Sequence, residues 1–163
     1  MSKNNKRLIA VLTTICCISV LLMIVSLIAT STTEIAEFTP PNFDINAIND
    51  KPDIDEDSGW GKIWQEGMGY HFYFNGKLKL NDQTVDAYFY NPPENNCYLK
   101  IRVFNVQGNI IYESGLIRPG EYLKTIKFAS YVSANENISI KIMSYNPENY
   151  TSMGSVILNT SIS

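Results

Sequence analysis

In the second half of the chain, apolar side chains fall at every second position in one stretch after another. Val85, Ala87 and Phe89 alternate with Asp86, Tyr88 and Tyr90. Leu99, Ile101 and Val103 alternate with Lys100 and Arg102, and Ile138, Ile140 and Ile142 with Ser139 and Lys141. A strand sends successive side chains to opposite faces, so each stretch predicts a half-buried strand with its aliphatic row inward. Turn residues punctuate these stretches at Asn75-Gly76, Pro92-Pro93, Gln107-Gly108-Asn109, Pro119-Gly120 and Pro147 to Gly154. Proline presets φ and removes a ladder donor, while glycine accepts positive φ. The segment from Tyr98 to Phe128 reads most clearly: strand, tight turn, short strand, proline-glycine corner, strand. With a first strand over Tyr70 to Phe74 and a last one carrying Val156, Leu158 and Ile162, about seven short strands are expected. The fold class predicted is all-β, an immunoglobulin-like antiparallel β-sandwich.

The N-terminus follows a different pattern. Lys3, Lys6 and Arg7 precede 22 uncharged residues, Leu8 to Ala29. At 1.5 Å per residue a helix over them spans roughly 33 Å, enough for a hydrocarbon core of about 30 Å. The basic flank predicts a cytoplasmic N-terminus, a single-pass membrane anchor and an extracytoplasmic C-terminal domain. A cleaved signal peptide is the alternative; its apolar region is usually shorter, about 7–15 residues. The residues before Cys16, Thr14 and Ile15, are not the small pair of a lipoprotein signal. Between anchor and strands, Ser31 to Gly59 holds three prolines and the acidic run Asp53, Asp55, Glu56, Asp57 without apolar periodicity. That composition predicts an extended linker. The expected organisation is therefore an anchor over residues 1–30, a linker over 31–59 and a β-domain over 60–163, with Trp60 to Trp64 as a short turn or helical cap.

Charge and chemistry narrow the function classes. The net charge of -3 is too small and too dispersed for the basic face that nucleic acid requires. Cys97 is the only cysteine after Cys16 and Cys17, so the β-domain can form no internal disulfide, and burial is its expected state. Asp53, Asp55 and Asp57 have the alternate spacing of a calcium loop. The twelfth position is Trp64 instead of Glu and the sixth is Ser58 instead of Gly, so a solvated acidic linker is the simpler reading. His71 is the sole histidine, and no serine sits in a nucleophile elbow. Asn137, Asn149 and Asn159 open glycosylation-type triplets that an Asn-rich chain produces by chance. The chain is expected to be no enzyme and to hold no cofactor or metal.

Aromatic residues carry the remaining interest. Trp60, Trp64, Tyr70, Phe72, Tyr73 and Phe74 are candidates for a platform that stacks sugars or grips a partner, with half or more of their rings expected in the core instead. If Val85, Ala87 and Phe89 point inward, Tyr88 and Tyr90 lie side by side on the outer face, exposed. Tyr88, Tyr90, Trp60 and Trp64 are therefore the candidate interaction surface; cross-strand pairing in an ordinary sheet is the bland alternative.

Phe74-Asn75-Gly76, Tyr90-Asn91-Pro92-Pro93, the run from Gly108 to Gly120 (GNIIYESGLIRPG), Ser144 to Glu148 (SYNPE) and Gly154 resemble a family of small envelope proteins from clostridia and related Firmicutes. The likeness covers Met68 to Ser163, is most specific from Gly108 to Gly120, and weakens over Lys77 to Val85. It implies one N-terminal anchor, an acidic linker and an immunoglobulin-like sandwich at a Gram-positive cell envelope. It brings no catalytic residues. The expected function is a non-enzymatic interaction module whose partner is another envelope protein or a second copy. The alternatives are a wall-polysaccharide-binding accessory protein and an assembly component of a pilus or transfer machine.

Overall fold

A computed structural model describes residues 3–31, 38–54, 59–64 and 67–163, in two compact units, Met1–Thr39 and Pro40–Ser163. The first unit contains one helix, α1 (Lys3–Ser31), long and apolar enough to cross a membrane. Ile15, Leu22 and Met23 are 59%, 65% and 70% exposed. Its hydroxyls turn back onto the helix. Thr13 Oγ1 donates to the Ile9 carbonyl at 2.8 Å, Thr14 Oγ1 to Ala10 at 2.9 Å and Ser19 Oγ to Cys16 at 2.8 Å. Hydrocarbon demands that kind of internal satisfaction.

The second unit is built of ten strands: β1 (Ile48–Asn49), β2 (Trp60–Ile63), β3 (Phe72–Asn75), β4 (Leu80–Asn81), β5 (Thr84–Asn91), β6 (Tyr98–Phe104), β7 (Ile110–Glu113), β8 (Glu121–Lys127), β9 (Asn137–Tyr145) and β10 (Ser152–Ser161). One sheet has the order β1-β8-β5-β3-β2, with β4 alongside β5; the other has the order β10-β9-β6-β7. Among the described residues these ten strands pair only antiparallel, while the isolated bridges Phe43↔Leu116 and Leu78↔Ile162 are parallel. Phe72, Phe89 and Leu123 from the first sheet join Leu99, Ile101, Ile140 and Ile142 from the second in one buried cluster, each at most 1% exposed. The inward rows are those the alternation predicted.

The turns also form where expected. Gly108 has φ +80° in the β6–β7 hairpin, and its N–H donates to the Asn105 carbonyl at 3.0 Å. At the proline-glycine corner the Glu121 N–H closes onto the Arg118 carbonyl at 3.0 Å. The Glu121 carboxylate accepts the Arg118 N–H at 2.8 Å and its guanidinium at 3.1 Å.

Three expectations are corrected. The strand count among the described residues is ten instead of about seven, because β1, β2 and β4 have two to four residues, too few to show a period. Trp60 to Ile63 is a strand instead of a turn or cap. It pairs with β3 in the register Trp60↔Asn75 to Ile63↔Phe72. The folded unit begins at Pro40 instead of Trp60, so part of the expected linker belongs to it.

That segment is held by bonds that leave no periodic trace. The Asp44 N–H donates to the Leu116 carbonyl, and the Leu116 N–H to the Asn42 carbonyl, both at 2.9 Å. The Asp44 carboxylate accepts the Gly115 N–H at 2.8 Å. Phe43 lies edge-on to Tyr98 at 5.0 Å, with the Arg118 guanidinium 3.5 Å from its ring centre. Pro52 is buried. Asp55, Asp57 and Ser58 of the calcium-like spacing lie outside the described residues.

Candidate functional site

Register brings outward residues of the first sheet into one row. Lys62 is opposite Tyr73, Tyr73 opposite Tyr90, Tyr90 opposite Tyr122, and Tyr122 opposite Ile48. Phe72 and Phe74 point into the core on either side of Tyr73, and Phe89 and Leu123 do so beside Tyr90 and Tyr122. Their outward neighbours therefore share the opposite face.

Two further rings complete the surface. Trp60 stacks on Tyr73 at 4.6 Å with 21° between planes and lies tilted over Tyr90 at 6.5 Å. Tyr88 stacks near Tyr122 at 6.4 Å and 16°.

Tyr88 holds its place through a bulge. Between Asp86 and Phe89 the register against β8 slips, from Asp86↔Thr125 to Phe89↔Leu123. Tyr88 has φ +42°, a conformation uncommon for a bulky side chain that costs about 1–3 kcal/mol. Its carbonyl accepts the Trp60 indole N–H at 2.9 Å. The bulge thus joins Trp60 on the edge strand to Tyr88 and keeps both rings on the outer face. Bulges of this kind often re-aim a side chain beside a functional site.

The four candidate residues separate. Trp60 and Tyr88 lie on the aromatic face, both half-buried. Tyr90 is on the same face, but its expected exposure is corrected: it is 6% exposed, covered by Tyr73 and Trp60. Trp64 lies past the end of β2, 60% exposed, and takes no part in these ring contacts. From the aromatics of the candidate platform Tyr73 joins this face, and the structure adds Tyr122. Outward alternation beside Leu123 could have marked Tyr122; no sequence signal pairs it with Tyr90. Of the six aromatics between Trp60 and Phe74, Tyr70, Phe72 and Phe74 are buried, as expected for half of them.

The face is electrically quiet at its centre. Burial raises the Tyr90 phenol above its ordinary value, with the charge of Glu94 adding to the effect. Burial lowers the His71 imidazole below its ordinary value, and the positive charge of Lys62 lowers it further against the opposing charge of Glu94. Exposed Lys62, Asp50 and Glu94 stand at the margin. His71 is fixed through its backbone: its N–H donates to Asn95 Oδ1 at 3.1 Å and its carbonyl accepts Asn95 Nδ2 at 2.6 Å. Asn95 is tied in turn to buried Asn91, whose amide donates to the Cys97 and Ile117 carbonyls at 3.0 and 2.9 Å.

Chemistry of other kinds finds little to work with. Cys97 is 2% exposed, and burial pushes its thiol up to about 11, so it is a poor nucleophile at neutral pH. Among the described residues no three His, Cys, Asp or Glu side chains are placed to hold a metal ion. Comparison of the chain with family models, curated proteins and solved structures gives no match.

Proposed function

We propose that the protein is a membrane-tethered, non-enzymatic interaction module at a bacterial cell envelope, with its β-domain on the extracytoplasmic side. α1 is the tether, and Lys3, Lys6 and Arg7 before the apolar run favour a cytoplasmic N-terminus. An immunoglobulin-like sandwich is the finer reading of the fold. The chain passes from β5 to the other sheet for the β6–β7 hairpin, returns for β8, and crosses again for the β9–β10 hairpin. That Greek-key connectivity supports the reading. The resemblance to clostridial envelope proteins agrees with it.

The observation that carries the function is the strained Tyr88 bulge, which holds Trp60 and Tyr88 beside Tyr73 and Tyr122 on one face. Aromatic anchors inside a charged margin have the anatomy of a protein-binding patch. A wall-sugar platform needs a broad free ring face. Here Trp60 already stacks on Tyr73, and Tyr90 is covered.

The test is capture from intact envelopes by the full-length protein and by Trp60→Ala. A defined protein retained by the parent and lost with Trp60→Ala supports the proposal. Retention on purified wall polymer that Trp60→Ala abolishes replaces it with polysaccharide binding. Capture indifferent to Trp60 overturns the assignment of this face.

A further inference from the structure

Three edges of the two sheets are short. β1 has two residues, β2 has four including Lys62, and β7 has four ending in Glu113. Short length and charge are the usual ways to keep a sheet edge from pairing with another chain. The fourth edge, β10, has neither. It runs ten residues, SMGSVILNTS, without a charge or a proline. Among the described residues it pairs with β9 alone, in an unbroken register from Gly154↔Ser144 to Ser161↔Asn137; only past its end does the chain pair elsewhere, Ile162 and Ser163 with Leu78 and Leu80. Ile157 on its outer face is 58% exposed. On its inner face Val156 and Leu158 are only half-buried, although they lie opposite the fully buried Ile142 and Ile140. Beside Leu158 a cleft of about 270 Å³ opens between the sheets, walled by Gly61, Ile63, Phe74 and Ile140.

We infer that β10 is the pairing edge for a second copy of this chain, and that two copies join antiparallel through it into one continuous sheet. Residues opposite each other in an antiparallel pair share a face, so inner residues must oppose inner ones. Only a few registers satisfy this, and they differ in quality. Centred on Ile157, the pairing opposes Ile157 to Ile157 of the second copy, Val156 to its Leu158 and Ser155 to its Asn159. Shifting the centre to Val156 sets Ile157 against Ser155; shifting it to Leu158 sets Ile157 against Asn159. The Ile157 register alone matches apolar with apolar and polar with polar over its central pairs, from Ser155 to Asn159, and leaves Met153 opposite Ser161 at its ends. It also brings Val156 of the second copy beside Leu158, at the mouth of the cleft. Because β10 carries no charge, self-pairing lays no like charges opposite each other, which a charged edge strand would do. A shared bilayer would raise the effective concentration of two anchored chains and favour a modest interface. This surface lies on the other sheet from the aromatic face.

The test uses the full-length protein, membrane-embedded, with Cys16→Ser and Cys17→Ser and with Cys97 left buried. A short bis-maleimide is applied to Ile157→Cys and, separately, to Ser161→Cys. In the inferred register the two 157 positions meet, while the two 161 positions are roughly 27 Å apart at about 3.4 Å per residue. Cross-linked dimer from Ile157→Cys, and at least tenfold less from Ser161→Cys, is expected. Equal yields, or none at 157, overturn the register. Independently, Ile157→Lys on the otherwise native chain should shift the mass of the detergent-solubilised protein from dimer to monomer while leaving its thermal melt in place. A dimer that survives Ile157→Lys, or a wild-type chain that is monomeric at every concentration, overturns the inference. A dimer lost only with Trp60→Ala does so too, and would assign self-association to the aromatic face.

Discussion

Lys100 and Arg102 alternate with core residues, yet neither is a freely solvated charge. Both hold Glu113 across the β6–β7 hairpin: Lys100 through its ammonium, and Arg102 through Nε at 2.9 Å and Nη2 at 3.1 Å. The Lys100 side chain is only 14% exposed. The Arg102 hydrogen bond, opposed in part by burial and reinforced by Lys100, keeps the Glu113 carboxyl below its ordinary value of 4.5. A carboxylate whose pKa is depressed by folding stabilises the fold above its unfolded value. That contribution is lost as pH falls through the folded value. Acidification from about pH 6 to about pH 3 should therefore weaken the wild-type domain more than Glu113→Gln, and the two stability curves should converge at the acid end. Because solvent screens the partly exposed pair, the gap above pH 5 should be about 1 kcal/mol or less. Denaturant melts across that range measure it, and parallel curves would show that the pair contributes nothing.

At the level of elements, alternation placed β5, β6 and β9 correctly, and β5 (Thr84–Asn91) extends one residue beyond the alternating run at each end. The segment before β2 behaves otherwise. Asn42 to Asp44 docks beside Gly115 and Leu116, and a Cβ built on Gly115 would lie 2.5 Å from the Asp44 nitrogen and 2.7 Å from its Cα. No side chain fits there without moving backbone. Gly115→Ala should force the segment off, breaking the Gly115 N–H bond to Asp44 and the two backbone bonds beside it. A loss of about 2 kcal/mol or more is expected. The denaturant midpoint reports the loss, and new protease cleavage within residues 40–54 reports its place. An unchanged midpoint would mean that the docked segment adds no stability.

On the scale of the whole molecule, α1 and the β unit follow different solvent rules: one exposes apolar side chains along its length, the other buries them between two sheets. If α1 is a permanent anchor, the membrane-extracted protein should have the mass of the intact or Met-trimmed chain and should resist alkaline carbonate extraction. A mature N-terminus near Thr30 or Thr32 would identify a removed signal instead.

The amino-acid sequence by itself determined the apolar helix, the all-β character, the main turns and which side of each long strand faces inward. These are local properties: the direction of each Cβ follows from the backbone, and glycine and proline act on their own φ. Tertiary structure decided the rest, because it depends on which segments become neighbours. Tyr73, Tyr90 and Tyr122 come from three strands, and only register lines them up. Tyr90 is outward by alternation yet buried by its neighbours. No glycine or proline marks the bulge at Tyr88; its residues read as regular alternation, and the slip exists only relative to β8. Asn42 to Asp44 looked like linker because backbone bonds to a distant strand connection, rather than a repeating apolar face, hold it in place. That β10 is left as the long bare edge follows from the order of strands in its sheet, which no single stretch of chain encodes.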